Sequence, residues 1–338
     1  MGSKIKVLVL DDSMVFREVL SRGLSVDPDI IVVAKAENPY DAIDKIERFQ
    51  PDVITCDVQM PKMDGIEFIR QLMPQHPVPV IVVSAISESV LEALNVGAVD
   101  FVTKPNVQSP QSVENFIKDL ICKVKAAKKA KVVTIDDSLE TDVSSVSKVQ
   151  SKRVIAIGAS TGGTEAIYKV LKTLPREIPG IVIVQHIPPQ FSKMFATRLN
   201  QQTHFEVLEA KKGDYLEMGR VLIAPGDQHM KIQRVGDRFK VDVFFGDRVN
   251  GHCPSVDVLF NSVAKEGGDK AIGVILTGMG YDGAKGLLSM RRHGSRTLGQ
   301  DEGSSVVYGM PKAAYEVGAV ERQLPLEQIS KGICQLLK

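Results

Sequence analysis

Residues 153–166 read "RVIAIGASTGGTEA": an apolar run, a glycine-rich turn and then a segment that can form a helix. This order predicts a strand, a tight turn and a helix, the repeating unit of an α/β fold. The turn has the spacing G-x-S-x-G from Gly158 to Gly162, with Ser160 at its centre. Such a turn either exposes a serine nucleophile or holds a phosphate at the helix N-terminus. The first interpretation predicts an acyl hydrolase, and the second a nucleotide-binding protein.

The alternation of apolar runs and amphipathic segments divides the chain into two α/β domains. Residues 1–125 contain five β-rich runs, which predict a five-stranded doubly wound parallel sheet. Residues 126–151 are rich in Lys, Ser, Asp and Thr and lose the alternation, so they are predicted to be a linker. Residues 152–338 resume it, which predicts a second doubly wound α/β domain with an antiparallel strand pair near residues 229–245.

Composition limits the classes of partner. The 338 residues include 42 basic and 41 acidic side chains, a net charge of +1, so no overall field attracts nucleic acid or an anionic membrane. The N-terminus has neither a secretory signal nor a membrane-spanning run, so we expect a cytoplasmic protein without direct membrane insertion. The four cysteines lack paired spacing and are expected to be reduced thiols.

Charged residues follow the strands of the first domain. Asp11 and Asp12 come after the first strand, Asp57 ends the third, Ser84 ends the fourth and Lys104 follows the fifth. Because the carboxyl ends of parallel strands meet at one edge, we expect these side chains to converge. Any one such aspartate is commonly a solvated turn residue, but three carboxylates beside an ammonium group predict a site for a magnesium ion and an anion.

Three strand ends of the second domain carry the residues of nucleophilic catalysis. His186 follows the apolar run "GIVIV", and Asp282 lies in the glycine-rich turn "TGMGYDG". A serine needs a neighbouring base, and an aspartate can orient that base, so Ser160, His186 and Asp282 form a candidate triad. Asp282 is equally suited to cap the helix that follows it. The glycines of its turn allow the backbone N–H of Met279 to approach a developing oxyanion.

The first domain resembles the receiver domain of bacterial response regulators in its acidic pair, in "TCDVQMPKMDG" and in the Lys-Pro after the last strand. The resemblance implies a flavodoxin-like fold, phosphorylation by a chemotaxis histidine kinase and a Mg²⁺ ion. The residues at the matching positions are Asp57 as phosphate acceptor, Asp11, Asp12, Asp57 and the Gln59 carbonyl as metal ligands, and Ser84, Lys104 and Phe101 as phosphate sensors. Phe101 also suits simple core packing.

The second domain resembles the catalytic domain of the chemotaxis protein-glutamate methylesterases, the CheB family, in "IGASTGG", "QHIPPQF", "APGDQHM", "HCPSVDVLF" and "TGMGYDGAKG". The resemblance implies phosphorylation-activated hydrolysis of glutamate methyl esters on the cytoplasmic helices of chemoreceptors, and deamidation of receptor glutamines, without a cofactor in this domain. Ser160 would then be the nucleophile, His186 the general base and acid and Asp282 its orienting partner. Thr161 and Met279 would lie around the substrate, with main-chain N–H groups available to the oxyanion.

Two other output functions compete with the esterase interpretation. A DNA-binding output requires a compact helix-turn-helix segment with a basic helix, and the second domain shows none. A receiver-controlled nucleotide-binding module is the alternative interpretation of "GASTGG". Against it, the sequence has neither G-x-G-x-x-G nor the P-loop spacing.

Overall fold

The computed structural model of the protein describes residues 3–85, 87–105, 109–130 and 153–338. The chain divides between Ser138 and Leu139 into two compact units. The linker predicted at residues 126–151 lies outside the described residues from position 131 onward. The domain boundaries proposed from composition therefore stay a prediction.

The N-terminal unit is built on one parallel sheet with the strand order β2-β1-β3-β4-β5. The strands are β1 (Ile5–Leu10), β2 (Ile30–Ala36), β3 (Val53–Asp57), β4 (Val80–Ser84) and β5 (Asp100–Thr103). The helices are α1 (Met14–Leu24), α2 (Pro39–Phe49), α3 (Gly65–Gln75), α4 (Ser87–Asn95) and α5 (Pro110–Ala127). The direction of winding reverses after β2, which makes β1 and β3 neighbours at the switch point. The predicted doubly wound sheet is confirmed.

The C-terminal unit has a seven-stranded parallel sheet with the order β14-β13-β12-β6-β7-β9-β8. Its strands are β6 (Val154–Ala159), β7 (Ile181–Gln185), β8 (Glu206–Glu209), β9 (Arg220–Ile223), β12 (Ala271–Ile275), β13 (Arg296–Gln300) and β14 (Arg322–Leu324). A separate antiparallel ribbon joins β10 (His229–Val235) to β11 (Arg238–Phe244), which confirms the predicted strand pair. The helices are α6 (Gly163–Thr173), α7 (Pro189–Gln202), α8 (Val256–Gly267), α9 (Ala284–Arg292), α10 (Met310–Glu316) and α11 (Leu326–Leu337).

The topology of this second sheet places three loops side by side. Strand β6 lies between β12 and β7, so the segments that follow these three strands share one edge. The chain leaves β6 in opposite directions toward β7 and, later, toward β12, which opens a crevice outside their carboxyl ends. Ser160, His186 and Asp282 all lie in these segments.

Three strands of this sheet were not predicted from the sequence. β8, β13 and β14 have three to five residues each, and the outer two carry charged side chains. Their apolar runs are too short to identify as strands from the sequence, because pairing with neighbouring strands rather than local composition stabilises them.

Close packing of helix α8 against β6 depends on the absence of a side chain at Gly158. A Cβ at this position would overlap the side chain of Val256 and approach the ring of Phe260. The first glycine of the G-x-S-x-G turn is therefore required by the packing of α8 on the sheet. Val256 and Phe260 themselves are fully buried.

We expect Gly158→Ala to lower the free energy of unfolding of the C-terminal unit by about 1–3 kcal/mol, because an extra methyl group in a packed core forces its neighbours apart. Urea denaturation monitored by circular dichroism measures the change. Gly303→Ala is the matched control, since a Cβ there meets only the Asp301 carboxyl group at 3.6 Å or more. Equal stability of the two variants would contradict the packing argument.

Candidate functional sites

The acidic residues of the N-terminal unit converge at the switch point. Asp11, Asp12 and Asp57 each place a carboxylate oxygen so that all three lie within 4.8 Å of one another. Asp11 and Asp57 are buried, whereas Asp12 is exposed. The Gln59 backbone N–H donates to Asp57 Oδ1 at 3.3 Å, so the main chain of Gln59 also borders the cluster. Hard oxygen donors in this number suit Mg²⁺.

Lys104 balances the charge of this cluster. Its Nζ donates to Asp57 Oδ2 at 2.7 Å and to Asp11 Oδ2 at 2.9 Å. Burial raises the pKa of Asp57, and the hydrogen bond and charge of Lys104 offset this only in part. Burial alone would lower the pKa of Lys104, but its bonds to Asp57 and Asp11 raise it above the ordinary value. The ammonium group is therefore positively charged and already beside the predicted phosphate acceptor.

The predicted phosphate sensors lie on the two strands next to the cluster. Ser84 ends β4 and is buried, and its carbonyl oxygen accepts a hydrogen bond from the Lys104 backbone N–H at 3.0 Å. Phe101 is buried on β5, with the Nζ of Lys123 5.0 Å from its ring centroid. Its ring lies in the core, so its predicted role as a switch requires a change of rotamer.

The backbone around Ser160 is held by bonds to the neighbouring strand ends. Its N–H donates to the Thr277 carbonyl oxygen at 3.0 Å, and its own carbonyl accepts from Gly163 N at 2.7 Å and Gln185 Nε2 at 2.9 Å. Helix α6 begins at Gly163 and has no side-chain N-cap bond. The predicted strand, turn and helix are all present, with Ser160 in the turn between them.

His186 follows β7 and faces Asp282 across the crevice. Its Nε2 lies 2.9 Å from Asp282 Oδ2. Its Nδ1 is buried and has no hydrogen-bond partner among the described residues, so the Ser160 hydroxyl is not bonded to it in this conformation. In unliganded serine hydrolases this bond commonly tightens only around the substrate. Since Nε2 is occupied by the carboxylate, Nδ1 is the nitrogen available as a base.

Asp282 is a buried carboxylate surrounded by donors. Oδ2 accepts from His186 Nε2 and Val256 N, and Oδ1 accepts from Asn250 Nδ2, Ser255 Oγ and Asp257 N, at distances of 2.7–3.3 Å. Burial alone would raise the pKa of Asp282, but the hydrogen bond and charge of His186, together with its other donors, hold it far below the ordinary value. The carboxylate is therefore ionised and can fix the tautomer of His186.

The expectation that Asp282 caps its own helix is wrong. Helix α9 begins at Ala284, and its N-cap is Gly283, without a side-chain bond. The Asp282 carboxylate instead accepts from the first two N–H groups of α8, those of Val256 and Asp257. A negative charge is stabilised at a helix N-terminus, so α8 helps to keep Asp282 ionised.

Thr161 is the neighbour of Ser160 in the chain, and Met279 follows the glycine that packs against it. Thr161 is buried, and its carbonyl oxygen accepts from Thr277 Oγ1 at 3.0 Å. Gly278 touches the serine: a Cβ on it would lie 2.7 Å from Ser160 Cβ, so only glycine allows the loop after β12 to pass this close. The next residue, Met279, has a partly exposed side chain, and its N–H donates to no described residue.

Three residues at this site were missed by sequence reasoning. Gln185 fixes the Ser160 carbonyl, Asn250 donates to Asp282, and the ring of His252 stacks on that of His186 with centroids 3.7 Å apart and planes inclined by 8°. Two sequence features could have identified them. One is the polar residue next to His186 at the end of β7, and the other is the dipeptide Asn-Gly at 250–251, a sequence typical of a tight hairpin turn.

Cys253 follows His252 in the chain and is a free, partly buried cysteine. Burial raises the pKa of Cys253, which disfavours the thiolate.

None of the described helices combines the length and the apolar character needed to cross a membrane.

Each of the two units matches a known family of domains. A family model described as CheB methylesterase matches residues 155–333, and one described as response regulator receiver domain matches residues 7–118. The protein-glutamate methylesterase/protein-glutamine glutaminase 2 of Syntrophomonas wolfei is 51% identical over 334 residues, covering 99% of this chain and 98% of the relative. The protein-glutamate methylesterase/protein-glutamine glutaminase of Syntrophotalea carbinolica is 49% identical over 348 residues, covering 100% of this chain and 99% of the relative.

A solved structure supports the same assignment for the C-terminal unit. The crystal structure of the Thermotoga maritima CheB methylesterase catalytic domain has a TM-score of 0.53 and 36% sequence identity, and covers 54% of this chain and 98% of that chain. Together with the receiver match and the full-length relatives, this shows that the chain belongs to the CheB methylesterase family and carries a response regulator receiver domain.

Proposed function

We propose that this protein hydrolyses glutamate methyl esters on bacterial chemoreceptors, releasing methanol, and deamidates receptor glutamines, under the control of receiver phosphorylation. Its relatives over the full length are named protein-glutamate methylesterase/protein-glutamine glutaminase. The single observation that carries the proposal is the pairing of His186 with the buried, ionised Asp282 at the strand end next to Ser160. That pairing favours acyl chemistry over nucleotide binding, because a phosphate would be repelled by the carboxylate.

In the proposed reaction, Ser160 Oγ attacks the ester carbonyl carbon while His186 Nδ1 takes the hydroxyl proton. The Met279 N–H, with a main-chain N–H at Thr161, would stabilise the oxyanion of the tetrahedral intermediate. Collapse of this intermediate breaks the bond to the methoxy oxygen, which leaves as methanol with the proton from His186. Water then attacks the glutamyl ester of Ser160, again through His186, and releases the glutamate carboxyl group. A glutamine substrate would release ammonia in the first half of the same sequence.

Control is proposed to reside in the acidic cluster. Asp11, Asp12, Asp57 and the Gln59 carbonyl would hold Mg²⁺, which neutralises charge on a transferring phosphoryl group. The Asp57 carboxylate would accept this group from a histidine kinase of the chemotaxis system. Lys104, already bonded to Asp57, would then pair with the phosphate oxygens, and the Ser84 hydroxyl would donate to them. A substrate on the cytoplasmic helices of receptors would locate the proposed reaction in the cytoplasm.

We expect Asp282→Asn to reduce kcat for methanol release by about 10⁴-fold. The asparagine amide can donate to His186 Nε2, which would place the ring proton on Nδ1 and remove the base. Methanol release from methylated receptor membranes measures the effect, and thermal unfolding verifies that the variant is folded. Ser289→Ala, at a half-buried position within α9 that is not part of the candidate triad, is the control. A variant as active as its parent would rule out this role for Asp282.

We expect methanol release to rise when acetyl phosphate and Mg²⁺ are added, and Asp57→Ala to abolish this rise. The physical reason is that only a carboxylate beside Lys104 and the metal ligands can accept the phosphoryl group. The ratio of rates with and without the donor is the measured quantity. Asp44→Ala, which removes an exposed carboxylate of α2, should keep the response. A response that survives in Asp57→Ala would place the control elsewhere.

A further inference from the structure

A tight turn holds two side chains against the catalytic histidine and aspartate. The backbone N–H and carbonyl groups of Val249 and His252 exchange two hydrogen bonds of 3.0 Å. Between them, Asn250 and Gly251 have φ values of 54° and 85°. Two central residues with positive φ make this a type I′ turn, for which Asn-Gly is the preferred sequence.

Asn250 uses one amide nitrogen to join two buried carboxylates. Its Nδ2 lies 2.8 Å from Asp282 Oδ1 and 2.8 Å from Asp257 Oδ2. Both aspartates are almost completely buried, and carboxylates this close together repel each other. An NH₂ group has two hydrogens and can donate to both at once, which neither a hydroxyl nor a carboxylate at this position could do.

The second carboxylate is itself anchored to the fold. Asp257 Oδ1 accepts from the Gly286 N–H at 2.6 Å, so the side chain links α8 to α9. Burial raises the pKa of Asp257, and the charge of Asp282 adds to this rise. Asn250 thus connects Asp282 to a rigid point of the fold rather than to solvent.

The ends of the segment that carries the turn are tied by one histidine. His229 is buried, and its Nε2 lies 2.8 Å from the Asp247 carbonyl oxygen, while its Nδ1 accepts from the Ser255 N–H at 3.2 Å. These two partners require a neutral ring with the proton on Nε2. Residues 247–255 are therefore held at both ends, with Asn250 and His252 between.

We propose that Asn250 is a positioning residue for the esterase reaction, which holds the Asp282 carboxylate in the orientation that directs His186 toward Ser160. The inference rests on the proposed function, and it adds a role for a residue outside the triad. The turn places Asn250 on one member of the catalytic pair and His252 on the other. Loss of the amide should leave Asp282 with four donors and allow it to rotate away from His186.

The test compares Asn250→Gly and Asn250→Asp with the parent in the full-length chain. Glycine and aspartate both tolerate positive φ, so the turn is retained while the NH₂ donor is removed. Gln50→Gly is the matched control, because Gln50 has a φ of 45°, is exposed and lies in the receiver unit. Methanol release from methylated receptor membranes gives kcat and KM, and proton NMR follows the downfield signal of the His186 Nε2 proton, identified by its loss in His186→Gln.

We expect kcat of Asn250→Gly to fall by about tenfold to hundredfold with KM unchanged, because a misplaced catalytic group lowers the rate without weakening substrate binding. The His186 signal should broaden or shift, and Gln50→Gly should match the parent in both measurements. If the glycine variant does not fold, Asn250→Asp is judged by the same two measurements. An unchanged kcat, or a reduced kcat with an unaltered His186 signal, overturns the proposal.

Failure of the proposed esterase function would give a different result from failure of the positioning role of Asn250. A folded parent that releases no methanol would contradict the esterase assignment. The NMR comparison would still decide whether Asn250 holds the histidine and aspartate pair, since it requires no substrate.

Discussion

The C-terminal unit depends on the burial of one charge, the Asp282 carboxylate. An isolated charge in a protein interior is strongly unfavourable unless donors replace its water shell. Here five donors do so, and they come from the end of β7, the turn at 249–252 and the first residues of α8. The charge therefore constrains three separate segments to meet at one point. The orientation of His186 follows from that requirement.

In the receiver unit, the carboxyl ends of the strands bring several negative charges together instead of one. Three carboxylates face one another, and a single ammonium group, that of Lys104, bonds to two of them. One unit thus surrounds the Asp282 carboxylate with hydrogen-bond donors, whereas the other has more negative charge than its one cation balances. The second arrangement favours binding of a divalent ion, and the first favours a fixed histidine. Both rely on the convergence of parallel strands at their carboxyl ends.

The site residues that can be predicted from the sequence are those at the ends of predicted strands. Ser160, His186 and Asp57 lie at or just after the ends of strands that are buried along their whole length. The sequence could not show which ring nitrogen of His186 meets Asp282, because that depends on contacts between residues 96 positions apart.

The remaining errors have the same physical origin. Sequence proximity favours α9 as the helix that Asp282 would cap, whereas packing presents the N-terminus of α8. Asn250 was overlooked because its turn signal carried no indication of the two carboxylates that the fold brings to it.

The edges of the seven-stranded sheet have a further consequence. β14 and β8 contain three and four residues and carry Arg322, Glu206 and Glu209, so neither offers a long apolar edge to a second molecule. Short, charged edge strands oppose intermolecular β-pairing, and the seven-stranded sheet is thereby protected against aggregation.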